Sequence, residues 1–291
     1  MSGTAATQLR ARAEALAAPL PPLLAQAEHL ASAMLMGGHG RRRAGTGSEF
    51  WQFRPAVQGD GQRQIDWRRS GRGDAHFVRQ QEWQAAQSVY LWADRSASMR
   101  LETGREPPKA DRARLLALAL AIVLGRAEER VGLLDGSLPP AAGRAQATRL
   151  ALALAGDDGA EYGTPPGATP VRGARVVMLS DFLGPIEPLA AALARMADRA
   201  VSGALVQILS PEELRFPFDG RTIFQSATGG VEFETRRARG LRAAYLARLA
   251  ERQAELSALS RRLGWRFTVH ATDSSAQAGL AWLFHAIEKA R

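Results

Sequence analysis

The chain has 291 residues, 46% of them hydrophobic and 23% charged, which suits a soluble globular protein of about two domains with a sizeable core. It contains no cysteine, which excludes disulfides, thiolate zinc sites and cysteine nucleophiles and fits a reducing compartment. A net charge of +9 and a pI near 11.0 point towards polyanions. The cations are nearly all Arg, with only Lys109 and Lys289 as lysines, and they are spread along an alanine-rich chain, so the charge speaks to non-specific association more than to fold.

Met1 to Arg12 lacks the basic start, apolar core and cleavage site of a secretory signal. No window reaches the roughly 18 consecutive apolar residues that span a bilayer, so membrane insertion is not expected and a cytoplasmic location is. Residues 1–18 read as a disordered tail. From Pro19, the stripe Leu20, Leu23, Leu24, Leu30, Met34 and Leu35 predicts a helix ending at Gly37-Gly38 and packed on the body. His39 to Ser48, with Arg41-Arg42-Arg43, reads as a loop. Phe50–Gln58, Gln64–Ser70 and Ala75–Trp83 are short aromatic and branched runs separated by Gly-Asp-Gly and Gly-Arg-Gly-Asp, the pattern of a small antiparallel meander. The domain division expected is therefore tail 1–18, helix and Arg/Trp-rich meander 19–84, and an α/β domain 85–291.

Beyond residue 85, strands alternate with helices. Apolar runs at Ser88–Trp92, Arg130–Leu134, Arg175–Ser180, Ala204–Leu209 and Trp265–Val269 are separated by helical patterns near 108–129, 143–154, 185–200, 236–263 and 276–290. Such alternation specifies a mostly parallel, doubly wound (Rossmannoid) sheet, with Phe216 to Phe233 as a hairpin inserted at its edge. Ligands of such sheets gather at the carboxyl ends of central strands. Asp94, Ser96 and Ser98 emerge at the end of one run and Asp181 at the end of another, which makes the two groups expected neighbours. A carboxylate with two hydroxyls offers compact oxygens to a hard cation, although turns and helix caps use the same residues.

Asp94-Arg95-Ser96-Ala97-Ser98-Met99, with Leu179-Ser180-Asp181 after a later strand, resembles the metal-ion-dependent adhesion site of von Willebrand factor A domains. The meander residues Arg54-Pro55, Gly59-Asp60, Arg63, Ile65-Asp66-Trp67-Arg68, Ser70, Arg72 and Val78-Arg79 resemble the bacterial domain of unknown function 58 family. The resemblance implies a von Willebrand A-like fold and a Mg2+ or Mn2+ site. Ser96 and Ser98 would bind the metal directly, Asp94 and Asp181 through waters, and a threonine, Thr164 first and Thr169 second, would complete the shell. Pro165, Pro166, Gly167 and Pro170 depart from the family pattern by leaving little room for the helix that usually follows that threonine.

Relatives of this family accompany MoxR-type AAA+ ATPases, which implies a non-enzymatic, metal-dependent adaptor that binds an unidentified protein client in a chaperone-like complex. The chain has no GxxxxGK[ST] motif of its own, so ATP hydrolysis would be the partner's. Arg54, Asp60, Arg63, Asp66, Trp67, Arg68, Arg72 and Arg79 are the candidate docking residues, against an ion-pair network of Arg stems lying on indole faces. The alternatives are a basic nucleic-acid-binding protein, whose affinity would fall steeply with salt, and a magnesium-dependent phosphoesterase. For the latter no spacing singles out a base among Asp157, Asp158 and Glu161, and His270 and His285 read as packing residues.

Overall fold

The computed structural model describes residues 20–37, 50–55, 77–81, 87–100, 107–156 and 159–288. The chain divides into two units, residues 39–86 being one and the rest the other. In the smaller unit β1 (Phe50–Pro55) pairs antiparallel with β2 (Phe77–Gln81), as two arms of the expected meander; the middle run, 64–70, lies outside the described residues. Helix α1 (Leu20–Gly37) belongs with the α/β unit, not with the meander segment beside which the sequence placed it.

Five parallel strands form the sheet of the larger unit: β3 (Ser88–Ala93), β4 (Arg130–Leu133), β5 (Arg175–Ser180), β6 (Ser202–Leu209) and β9 (Arg266–Ala271). Their order is β4-β3-β5-β6-β9. The connecting helices are α2 (Lys109–Arg126), α3 (Arg144–Leu154), α4 (Ile186–Ala197), α6 (Arg242–Arg262) and the closing α7 (Ala276–Ile287). This is a Rossmann-like doubly wound sheet, consistent with a von Willebrand A-type fold. The strands read as unbroken apolar runs because both faces are covered. On β5, Val177 and Leu179 enter a core with α1, α2, α3 and α7, while Val176 and Met178 enter a second core with α4 and α6. Helix α4 shows why it docks: Leu189, Ala192, Leu193 and Met196 recur at helical spacing and are all buried.

Two elements differ from expectation. The run after β6 forms a short helix, α5 (Pro211–Arg215), closed by a capping box in which the Ser210 hydroxyl accepts from the Glu213 amide and Glu213 Oε2 accepts from the Ser210 amide. Among the described residues the following strands β7 (Thr222–Gln225) and β8 (Glu232–Thr235) pair with each other and with no further strand, so the hairpin is a separate two-stranded sheet and not an edge of the main one. Among the described residues no helix is long and apolar enough to cross a membrane.

Candidate functional site at the sheet switch point

The chain leaves β3 for α2 and β4 on one side and enters β5 on the other, so the crossovers diverge between β3 and β5. That is the crevice in which doubly wound sheets bind ligands. Ala93 pairs with Leu179 across it, and the Asp94 amide donates to the Leu179 carbonyl at 2.9 Å, which sets Asp94 beside Ser180. Asp94 is 1% exposed. Its Oδ1 accepts from the Ser96 amide at 2.8 Å and its Oδ2 from the Ser180 hydroxyl at 2.6 Å. Burial raises its pKa above the usual 3.8 and nearby Asp181 adds to this, while the bonds from Ser180 and Ser96 work the other way.

Ser96 and Ser98 are buried, with their hydroxyl oxygens 3.2 Å apart. Ligands at adjacent corners of an octahedron with bonds of about 2.1 Å stand roughly 3 Å apart, so this pair suits a magnesium-type ion. The loop 159–174 holds the turn from outside: the Ala97 and Ser98 amides donate to the carbonyls of Ala160 and Glu161 at 2.8 and 2.9 Å. As the prolines imply, this loop contains no helix. Thr164 and Thr169 are both exposed, and the loop residue that meets Asp94 is Gly163. A Cβ there would stand 2.2–2.4 Å from the Asp94 carboxyl atoms.

Asp181 is 1% exposed and faces a different cation. Its Oδ2 accepts from Lys109 Nζ at 2.9 Å and its Oδ1 from the Leu183 amide at 3.2 Å. Lys109, the first residue of α2, is 2% exposed and also donates to Glu213 Oε1 at 2.6 Å. Burial opposes its charge, but Asp181 and Glu213 outweigh burial and raise its pKa, so it stays an ammonium. Phe182 then turns the chain with φ 48, a left-handed conformation rare for an aromatic residue, held by its amide donating to Ser180 Oγ at 3.0 Å. Arg95 points away from the cluster, donating to the Ala153 carbonyl at 3.0 Å.

The structure thus brings together Asp94, Ser96, Ser98 and Asp181, and it places Thr164, an exposed residue, next to the Gly163 that meets Asp94. The first three suit a hard divalent cation, as two hydroxyls and a carboxyl group that forms no ion pair among the described residues. Asp181 is charge-balanced from within. Among the described residues no three His, Cys, Asp or Glu side chains form a cluster able to hold a metal. Of the docking candidates, Arg54 and Arg79 lie on neighbouring rungs of the β1–β2 pair, opposite Val78 and Phe53. Asp60, Arg63, Asp66, Trp67, Arg68 and Arg72 lie outside the described residues, as do Asp157 and Asp158.

His270, on β9, is buried with its ring filling the space that the absent side chain of Gly279 leaves. Burial, followed by the Arg112 charge, pushes its pKa down to about 4, with Asp273 opposing. A neutral ring is therefore the stable one. Its contribution is complete above pH 6.5 and is lost as pH falls from there towards about 4. Melting temperatures of wild type and His270→Gln across pH 4–7 should show a shallower acid decline in the variant; parallel curves would contradict this.

Fold and cluster define the class: a Rossmann-like α/β protein with an Asp-x-Ser-x-Ser turn at the switch point of its sheet. A family model described as "Protein of unknown function DUF58" matches residues 52–255, and the chain belongs to that family. Its structure is similar to that of an aerotolerance-related membrane protein from Bacteroides fragilis carrying multiple mutations to serines, at 16% identity and a TM-score of 0.41 over 69% of this chain and 98% of the other. It is similar also to the conserved hypothetical protein BatB from Bacteroides thetaiotaomicron, at 16% identity and a TM-score of 0.40, with the same coverage. No curated protein matches the chain.

Proposed function

We propose that this protein is a non-enzymatic adaptor that binds a partner protein through a divalent cation at Asp94, Ser96 and Ser98, acting in the cytoplasm with a MoxR-type AAA+ ATPase in a chaperone-like complex. The observation that supports it is the pair of buried hydroxyls 3.2 Å apart beside a buried carboxylate at the sheet switch point. A Mg2+ or Mn2+ ion bound there supplies Lewis acidity with little charge neutralised by the protein, leaving it receptive to an acidic side chain of a partner. The chain's own residues position that centre. Ser180 and the Ser96 amide orient the Asp94 carboxylate, and the 160–161 carbonyls fix the turn that presents both hydroxyls. Each oxygen of Asp94 and Asp181 already accepts one internal hydrogen bond, an arrangement that holds charge in place and favours binding over proton transfer.

The test is isothermal titration of Mg2+ and Mn2+ into wild type and Asp94→Asn, which keeps the side chain's shape and one acceptor oxygen, leaves its amide nitrogen able to donate to a rotated Ser180 hydroxyl, and removes the charge. Wild type should give a saturable heat and the variant none. A MoxR-type ATPase should be retained by immobilised wild type in Mg2+ and released by chelator. Identical heats in both proteins, or retention indifferent to chelator, would reject the proposal.

A further inference from the structure

Lys109 is one of two lysines in a chain whose other cations are all arginine. It sits where elementary electrostatics least favours an ammonium. It opens α2, and the amino end of a helix carries partial positive charge. It is 2% exposed, and removing an ammonium from water costs several kcal/mol unless partners repay it. Its partners are Asp181 at 2.9 Å and Glu213 at 2.6 Å, and Glu213 is itself fixed by the capping box of α5. The ammonium therefore rests on Asp181, the carboxylate whose charge acts on Asp94.

Asp94 and Asp181 would together offer a divalent cation two negative charges. With Lys109 on Asp181, one of these is cancelled, and the cation meets Asp94 alone plus two neutral hydroxyls. Glu213, at 19% exposed, is the second counter-ion and limits how much of the Lys109 charge is felt by its surroundings.

We propose that Lys109 is a resident counter-cation of the site, whose fixed charge holds down the affinity of Asp94, Ser96 and Ser98 for a divalent ion, and that Glu213 sets the strength of this effect. The proposal rests on the metal-binding role given above and names the residues that tune it. It makes opposite predictions for two neighbouring side chains. Removing the ammonium strengthens metal binding, whereas removing the Glu213 charge, which leaves Lys109 less neutralised, weakens it. A purely architectural contribution from these residues would lower affinity in both cases.

The experiment is isothermal titration of MgCl2 and MnCl2, at fixed pH and ionic strength, into full-length wild type, Lys109→Met, Glu213→Gln and Asp94→Asn, each checked for a cooperative melt. Lys109→Met should bind about tenfold more tightly, since a unit charge beside a carboxylate typically changes its hold on a cation by an order of magnitude or more. Glu213→Gln should bind about threefold more weakly. Unchanged or weaker binding by folded Lys109→Met overturns the proposal. If Lys109→Met does not melt cooperatively, Glu213→Gln decides, and unchanged or tighter binding by it overturns the proposal. Heats lost in Asp94→Asn but equal in wild type and Lys109→Met reject the Lys109 proposal alone. Heats equal in wild type and Asp94→Asn reject the metal site itself, and with it both proposals.

Discussion

Asp181→Ala is expected to lower the free energy of unfolding by about 3–5 kcal/mol, the cost of stranding one member of a buried ion pair. Lys109 would keep only Glu213, which is partly exposed, and the Leu183 amide would lose its acceptor. The pair links the end of β5 to the first turn of α2, elements 72 residues apart in the chain, so its loss falls on the packing of the main core. Replacing both partners removes the stranded charge. Lys109→Met combined with Asp181→Ala should therefore cost clearly less than the sum of the two single changes, by about 1–3 kcal/mol of coupling. Urea unfolding followed by circular dichroism measures all four proteins, and strict additivity would show that the ion pair contributes no coupling.

The α/β body was legible because its strands are covered on both faces. A strand such as Arg175–Ser180, apolar from Val176 to Leu179 without a break, is what burial on both faces requires. The placement of Asp94 and Asp181 followed from the same fact: the first polar residue after each run is where the strand leaves the core, and parallel strands leave it on one side. Sequence could also have yielded α5, because Ser210 with Glu213 three residues on is a capping-box pattern. That signal was masked by its position between a strand and an aromatic segment.

What the sequence hid was long-range pairing. A lysine following a proline at a helix start looks like a solvated charge, and only the fold puts Asp181 and Glu213, 72 and 104 residues away, against it. Its rarity in a chain of arginines was the one available hint. Arginine, with its planar fork, suits bidentate partners, whereas a compact ammonium can be set between two carboxylates. The threonine of the adhesion-site pattern was an equally long-range matter. Pro165, Pro166 and Pro170 leave the loop without a helix, and its contact with the Asp94 carboxylate is made by Gly163, the neighbour of Thr164.

Gly163→Ala should disable the site without replacing any polar group in it. The added methyl would meet Asp94 Cγ, Oδ1 and Oδ2 at 2.2–2.4 Å, closer than any real Cβ contact, and Asp94 has no room to yield because its oxygens are fixed by Ser180 and Ser96. Either the carboxylate swings off Ser180 or the loop lifts, breaking the bonds from the Ala97 and Ser98 amides to residues 160 and 161. Overpacking of this kind typically costs about 1–3 kcal/mol. Both outcomes separate Asp94 from the two hydroxyls, so magnesium heats in isothermal titration should disappear along with part of the stability. Gly167→Ala is the control: it lies in the same loop, and a methyl there meets nothing within 4 Å. It should bind and melt as wild type does. Equal behaviour of the two variants would mean that the loop moves freely over Asp94, and that the turn carrying Ser96 and Ser98 is not held in the geometry that a cation requires.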